Sequence, residues 1–259
     1  MLIPRVIPCL DVRAGRIVKG VRFQNLRDAG DPAERAAAYE NEGADEIVIL
    51  DVSATTEERA ASIDTVARVR EAIGIPLTVG GGVRTIDDAS RLLDAGADRV
   101  SVNSAGVNRP ELLAEIAGRF GVQCCVLAVD ASRSDGGGWR VLTRSGSTDS
   151  GLGVEDWAAR GAALGAGEIL LTSWNRDGTG AGYDLDLLRA VAKAAPIPII
   201  ASGGASTAAH MRDALDAGAS AVLAASIFHD RVTTVADLKR ELSSLGVSVR
   251  LPIPTGATP

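Results

Sequence analysis

Short apolar runs rich in Val, Ile, Leu and Ala alternate along the whole chain with segments whose apolar residues recur at helical spacing. The runs predict strands over 5–11, 46–51, 77–79, 99–103, 122–130, 168–172, 198–201 and 221–224. The helical spacing predicts helices from Pro32, capped by Asp31, to about Glu42, and over 57–72, 85–95 and 109–118. In the second half it predicts 154–164, 185–194, 207–217 and 235–245. Within the runs apolar and polar residues do not alternate, which is the pattern of a parallel sheet covered on both faces. The segment between Asp11 and Asp31 carries glycines and several basic residues and reads as a loop.

Eight such β-then-α units in about 250 residues suit either a (β/α)8 TIM barrel or a doubly wound open sheet. An internal repeat favours the barrel. IPLTVGGG at 75–82 is echoed by IPIIASGG at 197–204, GADEIVIL at 43–50 by GAGEILLT at 165–172, and DAGADRVSVNS at 94–104 by DAGASAVLAAS at 216–226. In each pair the second copy stands 122 positions after the first. The expectation is one α/β barrel over 1–250, built from two duplicated (β/α)4 halves of about 1–120 and 121–250, with 251–259 a frayed tail.

In such a barrel the chemistry gathers at the C-terminal strand ends. Two sets of small residues fall there: Gly82 with Asn103 and Ser104, and Gly204 with Ala225 and Ser226. Small residues let backbone N–H groups approach an anion closely, and Ser or Asn adds a side-chain donor. Two symmetric sets on one rim imply a substrate with a phosphate at each end. Asp11 and Asp130 end the first strand of each half and point between the two sets. Two carboxylates facing one site allow one to act as acid and the other as base. Lys19, in the loop after the first strand, is either a solvated lysine or a cation that arrives when a lid closes.

Composition narrows the class further. With a net charge of −6 and a pI near 5.1 the chain has no footprint for nucleic acid or anionic membrane. Phosphates must then be held locally. No apolar run approaches a membrane span, and Arg5 and Asp11 interrupt the N-terminal one, so no signal peptide is read. Cys9, Cys124 and Cys125 with only two histidines, His210 and His229, suit buried, reduced core thiols better than a disulfide framework or zinc site. No metal and no cofactor is expected, and the compartment reads as cytoplasmic.

The segments IPCLDVRAGRIVKG, DPAERAAAYENEGADEIVILD, TVGGGVR, AVDA, GAGEILLTSWNRDGTGAGYD and PIIASGGA cover nearly the whole chain. Together they resemble the cyclase-subunit family of imidazole glycerol phosphate synthase, from histidine biosynthesis. The resemblance implies a bisphosphate aminoimidazole ribulosyl substrate, ammonia-dependent closure of an imidazole ring and release of an aminoimidazole carboxamide ribotide. It puts the catalytic carboxylates on Asp11 and Asp130 and the lid lysine on Lys19. Phosphate contacts fall on Gly82, Asn103 and Ser104 in one half, and on Asp177, Gly178, Gly204, Ala225 and Ser226 in the other, with Thr172 lining the same pocket. It also implies a separate glutaminase subunit docked on the N-terminal barrel face as a heterodimer. Arg5, Glu46, Arg99 and Glu168 would gate the ammonia passage, and Asp98 would lie in the docking surface. The sequence departs from the family where Arg99 replaces a usual lysine, where Asn175 stands for a common acidic residue, and in the 144–150 loop. Two other readings stay open: the sister isomerase of the same pathway, and a non-catalytic phosphate-binding scaffold.

Overall fold

The computed structural model describes residues 3–21, 24–54 and 61–252, without the side chains of 19–21 and 24–27. The first half contains β1 (Arg5–Arg13), β2 (Arg16–Val21), β3 (Gln24–Gly30), α1 (Pro32–Asn41), β4 (Ile47–Asp51), α2 (Ile63–Ala72), β5 (Leu77–Gly80), α3 (Ile86–Asp94), β6 (Arg99–Val102), α4 (Ser104–Asn108) and α5 (Glu111–Phe120). The second contains β7 (Cys125–Arg133), β8 (Trp139–Thr143), β9 (Thr148–Gly153), α6 (Val154–Ala163), β10 (Glu168–Ser173), α7 (Leu185–Ala194), β11 (Ile199–Ser202), α8 (Ala208–Asp216), β12 (Ala221–Ala224), α9 (Ser226–His229) and α10 (Val235–Ser244).

Strands β1, β4, β5, β6, β7, β10, β11 and β12 pair in that order, all parallel, and β12 pairs back onto β1. This is a closed (β/α)8 barrel, as the repeat predicts. The helices start where the sequence supplies caps. Asp31, Ser62, Thr85, Asp184, Thr207 and Thr234 each accept a first-turn backbone N–H. α2 starts at Ile63 rather than at Glu57; 57–60 lie outside the described residues.

A strand turns alternate side chains to opposite faces, so each barrel strand carries two columns. On β1, Val6, Leu10 and Val12 join the core between sheet and helices, while Ile7 and Cys9 join a second cluster inside the barrel with Val48, Val126, Leu170 and Ile200. The inward column of β1 therefore reads Arg5, Ile7, Cys9, Asp11: a charge at the bottom, an apolar plug, a carboxylate at the mouth. β7 repeats it with Val126, Ala128 and Asp130, and β10 with Glu168, Leu170 and Thr172. Burial on both faces is why the runs show no alternation.

Three features depart from the sequence expectation. The segment after Asp11 is an antiparallel hairpin, with β1 paired to β2 and β2 to β3. A matching hairpin, β8 and β9, extends β7. Consequently Asp11 and Asp130 do not end their strands, which run on to Arg13 and Arg133. Cys124 lies in a 3-10 turn over Val122–Cys124 and is half-exposed, whereas Cys9 and Cys125 are buried; all three thiols are free.

The last unit is tied to the first. Lys239, fully buried, donates to the Gly43 carbonyl at 2.6 Å and pairs with Asp45 at 2.7 Å. Asp45 also accepts the Val6 amide at 2.8 Å and pairs with Arg250 at 3.2 Å. Burial lowers the Lys239 pKa, and the Asp45 partner opposes that shift. Lys239→Met leaves Asp45 short of its closest cation and is expected to cost about 2–4 kcal/mol. The readout is a lower urea midpoint at unchanged m-value; an unchanged midpoint would contradict it.

Candidate active site

The C-terminal mouth of the barrel opens into a cavity of about 840 Å³. Asp11, Gly82, Asn103, Ser104, Asp130, Thr172, Asp177, Gly178, Gly204, Ala225 and Ser226 all line it. The structure thus brings together every rim residue singled out from the sequence except Lys19. Lys19 sits in β2 opposite Arg27, and its side chain lies outside the described residues.

The two halves place matching short-helix N-termini, candidate anion seats, on the cavity wall. α4 and α9 follow β6 and β12, and neither has a side-chain cap on its N-terminus, although the longer α3 and α8 before them are capped by Thr85 and Thr207. Ser104 and Ser226 start α4 and α9 at the cavity wall, where first-turn N–H groups with no side-chain cap can donate to an anion. The glycine turns beside each seat require glycine. Gly81 has φ +87°, and a Cβ there would stand 2.2 Å from the Asp51 carbonyl oxygen. Gly204 has φ +96°, and its Cβ would stand 2.3 Å from the Gly182 carbonyl oxygen, across a turn in which Gly182 N–H donates to Gly204 O at 2.8 Å.

Between the seats stand the carboxylates. Burial raises the Asp11 pKa to about 7, helped by the charges of Asp177 and Asp130 and opposed by the Cys9 thiol 3.7 Å away. Burial likewise raises Asp130 to about 7, helped by Asp177 and opposed by the Asn103 amide, which donates to it at 2.9 Å. Carboxyls that titrate near neutrality can exchange protons with a substrate at physiological pH. The second N–H of Asn103 goes to the Leu142 carbonyl at 3.3 Å, so this side chain faces Asp130 and β8 rather than the α4 seat.

Sequence reasoning passed over Arg84, Arg109 and Arg144, which line the same cavity. Asp51, a strand-end carboxylate on β4, lines it too, and its buried carboxylate accepts from Ser53 and Ala54. The signal for Arg84 was present in TVGGGVR, a cation two residues beyond the glycine run. Arg144 reaches the mouth only because the β8–β9 hairpin folds over it. Asn175 accepts the Arg133 amide at 2.8 Å, so its amide oxygen does there what a carboxylate oxygen would.

At the opposite face the four strand-start charges form one cluster. Glu46, fully buried, pairs with Arg5 and with Arg99 at 2.7 Å each and accepts from Thr78 at 2.6 Å. Arg5 also pairs with Glu168, and Arg99 lies 3.9 Å from it. These side chains are paired to one another rather than individually solvated, and they close the bottom of the barrel beneath the apolar plug. Asp98 sits at the edge of this face, half-exposed, accepting from Leu77 N–H at 2.8 Å and paired with Arg70 at 3.1 Å. Among the described residues no group of three or more His, Cys, Asp or Glu side chains is arranged to hold a metal ion, and no helix is long and apolar enough to cross a membrane.

Residues 5–234 match the family model described as histidine biosynthesis protein. The imidazole glycerol phosphate synthase subunit HisF of Synechococcus sp. (strain CC9605) is 55% identical over 255 residues, covering 96% of this chain and 100% of the relative.

Proposed function

The chain belongs to the histidine biosynthesis protein family, and from that premise we propose that it is the cyclase subunit of an imidazole glycerol phosphate synthase. The observation that carries this reading is the cavity itself. It has a helix N-terminus without a side-chain cap on each pseudo-symmetric side and two carboxylates poised near neutrality between them.

A bisphosphate ribulosyl aminoimidazole substrate spans such a cavity with one phosphate in each seat. Gly82, Ser104 and the start of α4 hold one end. Gly178, Gly204, Ser226 and the start of α9 hold the other, with Thr172 and Asp177 on the wall between. The ribulosyl carbonyl and the formimino carbon then lie over Asp11 and Asp130. Ammonia adds to the carbonyl carbon while one carboxyl protonates the oxygen and the other carboxylate takes an ammonia proton; water leaves. The same nitrogen next bonds the formimino carbon, and the bond from that carbon to the aminoimidazole nitrogen breaks. A carboxyl proton goes to the departing nitrogen, a carboxylate takes one proton from the ring methylene carbon so that the ring becomes aromatic, and imidazole glycerol phosphate and the carboxamide ribotide are left. Lys19 contributes a cation over the substrate as the β2–β3 hairpin closes.

The ammonia comes from a glutaminase docked on the face that carries Asp98 and the Arg5–Glu46–Arg99–Glu168 cluster, in a cytoplasmic heterodimer. Arg99 pairs with Glu46 at 2.7 Å, so opening must break that ion pair and swing aside a guanidinium bulkier than a lysine's amine. The purified chain is expected to turn over the bisphosphate substrate with ammonium salts and to be inert with glutamine until the glutaminase is added. Glutamine-driven turnover by the chain alone, or isomerisation of the substrate's precursor in place of ring closure, would overturn the reading.

A further inference from the structure

The duplication that made the site gave its two carboxylates equivalent positions, but not equivalent neighbours. Asp130 on β7 is flanked by β6, whose following residue Asn103 donates to it at 2.9 Å. By the repeat, the residue at that place beside Asp11, after β12, is Ala225, which has no donor. Conversely, Asp11 has Cys9 two residues back on its own inward column, Sγ 3.7 Å from the carboxyl, and the residue two before Asp130 is Ala128. One carboxylate has a short amide hydrogen bond and the other only a long contact with a weak thiol donor.

We infer that this broken symmetry assigns the acid and the base: Asp11 carries the proton that is donated, while Asn103 holds Asp130 as the carboxylate that accepts one. A donor to a carboxylate favours its charged form, and an amide does so more strongly than a thiol. The other titratable or charged groups lining the cavity with this pair are Asp51, Asp177, Arg84, Arg109 and Arg144. Asp177 acts on both carboxyls and so does not discriminate between them. The anchoring of Asn103 explains its orientation. With both N–H groups committed to Asp130 and to Leu142 O, its carbonyl Oδ1 is buried without a partner. Asn103 and Cys9 are thus positioning residues acting through the aspartates. The inference rests on the cyclase reading only for what the acid and base act upon.

The test reads the two carboxyls directly. In protein labelled with γ-13C aspartate, with signals assigned through Asp11→Asn and Asp130→Asn, the Asp130 carboxyl is expected to ionise at lower pH than that of Asp11. Asn103→Leu is expected to raise the Asp130 midpoint by about one pH unit. Cys9→Ala should raise that of Asp11 by less, and Cys9→Ser should restore it. In ammonia-dependent kcat/KM profiles the Asn103 substitution then moves the acid limb and the Cys9 substitution the alkaline limb. If Asn103→Leu does not fold, Ala225→Asn sets an amide beside Asp11 and is expected to bring its midpoint down. Asp11 ionising first, or Asn103→Leu shifting the alkaline limb instead, would overturn the assignment. Absence of any ammonia-dependent turnover in the unaltered protein would defeat the cyclase reading while the carboxyl titration still decided this one.

Discussion

Asp130→Asn is expected to lower ammonia-dependent kcat about a thousandfold, to leave KM for the bisphosphate within a few-fold, and to make the protein more stable above pH 7. The first two follow from separating grip from chemistry: the seats at α4 and α9 are untouched, and asparagine can still accept from Asn103 while transferring no proton. The third follows from the sign of the shift. Unfolded, the carboxyl loses its proton near its ordinary value of 3.8; folded, it keeps it to about 7. Between those values the folded state binds more protons, so stability falls as pH rises through the window. Asparagine, neutral throughout, escapes that fall. The gain should be on the order of 2–4 kcal/mol at pH 8 and vanish below pH 4. Asp11→Asn should behave alike. Thermal melts at pH 4 and pH 8 check the stability part, and a variant destabilised at pH 8 would show that burial is not what perturbs these groups.

Gly204→Ala is expected to reduce kcat/KM at least a hundredfold, mostly through KM, by spoiling one phosphate seat. At φ +96° an L side chain is strained, and the added Cβ would lie 2.3 Å from Gly182 O and 3.0 Å from the Arg176 Cβ. The turn must open, breaking the Gly182 to Gly204 hydrogen bond that shapes the rim. Gly246→Ala is the control: its φ is +85° but nothing lies within 4 Å of the added carbon. It should lose about 1 kcal/mol of stability and no activity. Equal kinetic effects in the two variants would mean that the Gly204 turn has no part in binding.

The barrel was legible because a strand buried on both faces leaves an apolar run, and because the second half restates the first. The rim hairpins were not. β2 and β3 read RIVKGV and QNLRDAG, and β9 reads TDSGLG: polar, glycine-bearing segments without apolar alternation, held in sheet only by successive hairpin pairing, β2 on β1 and β3 on β2, β8 on β7 and β9 on β8. α4 and α9 are too short for helical periodicity to register. Asp11 and Asp130 could be picked out as repeat partners, yet their contrasting donors could not, since nothing in the string says that Asn103 turns toward β7. The bottom charges were visible at strand starts; that Glu46 sits between two arginines depends on which strands become neighbours across the barrel.

The seam between the last unit and the first has a consequence for synthesis. Tyr39 with His229 at 2.6 Å, the Val235 amide with Glu42 at 2.9 Å, and Lys239 with Asp45 join residues some 190 positions apart. A chain growing from its N-terminus therefore carries β1 with one edge bare until β12 and α10 have left the ribosome. The mouth holding Asp11 takes its final form only in the closing moments of translation.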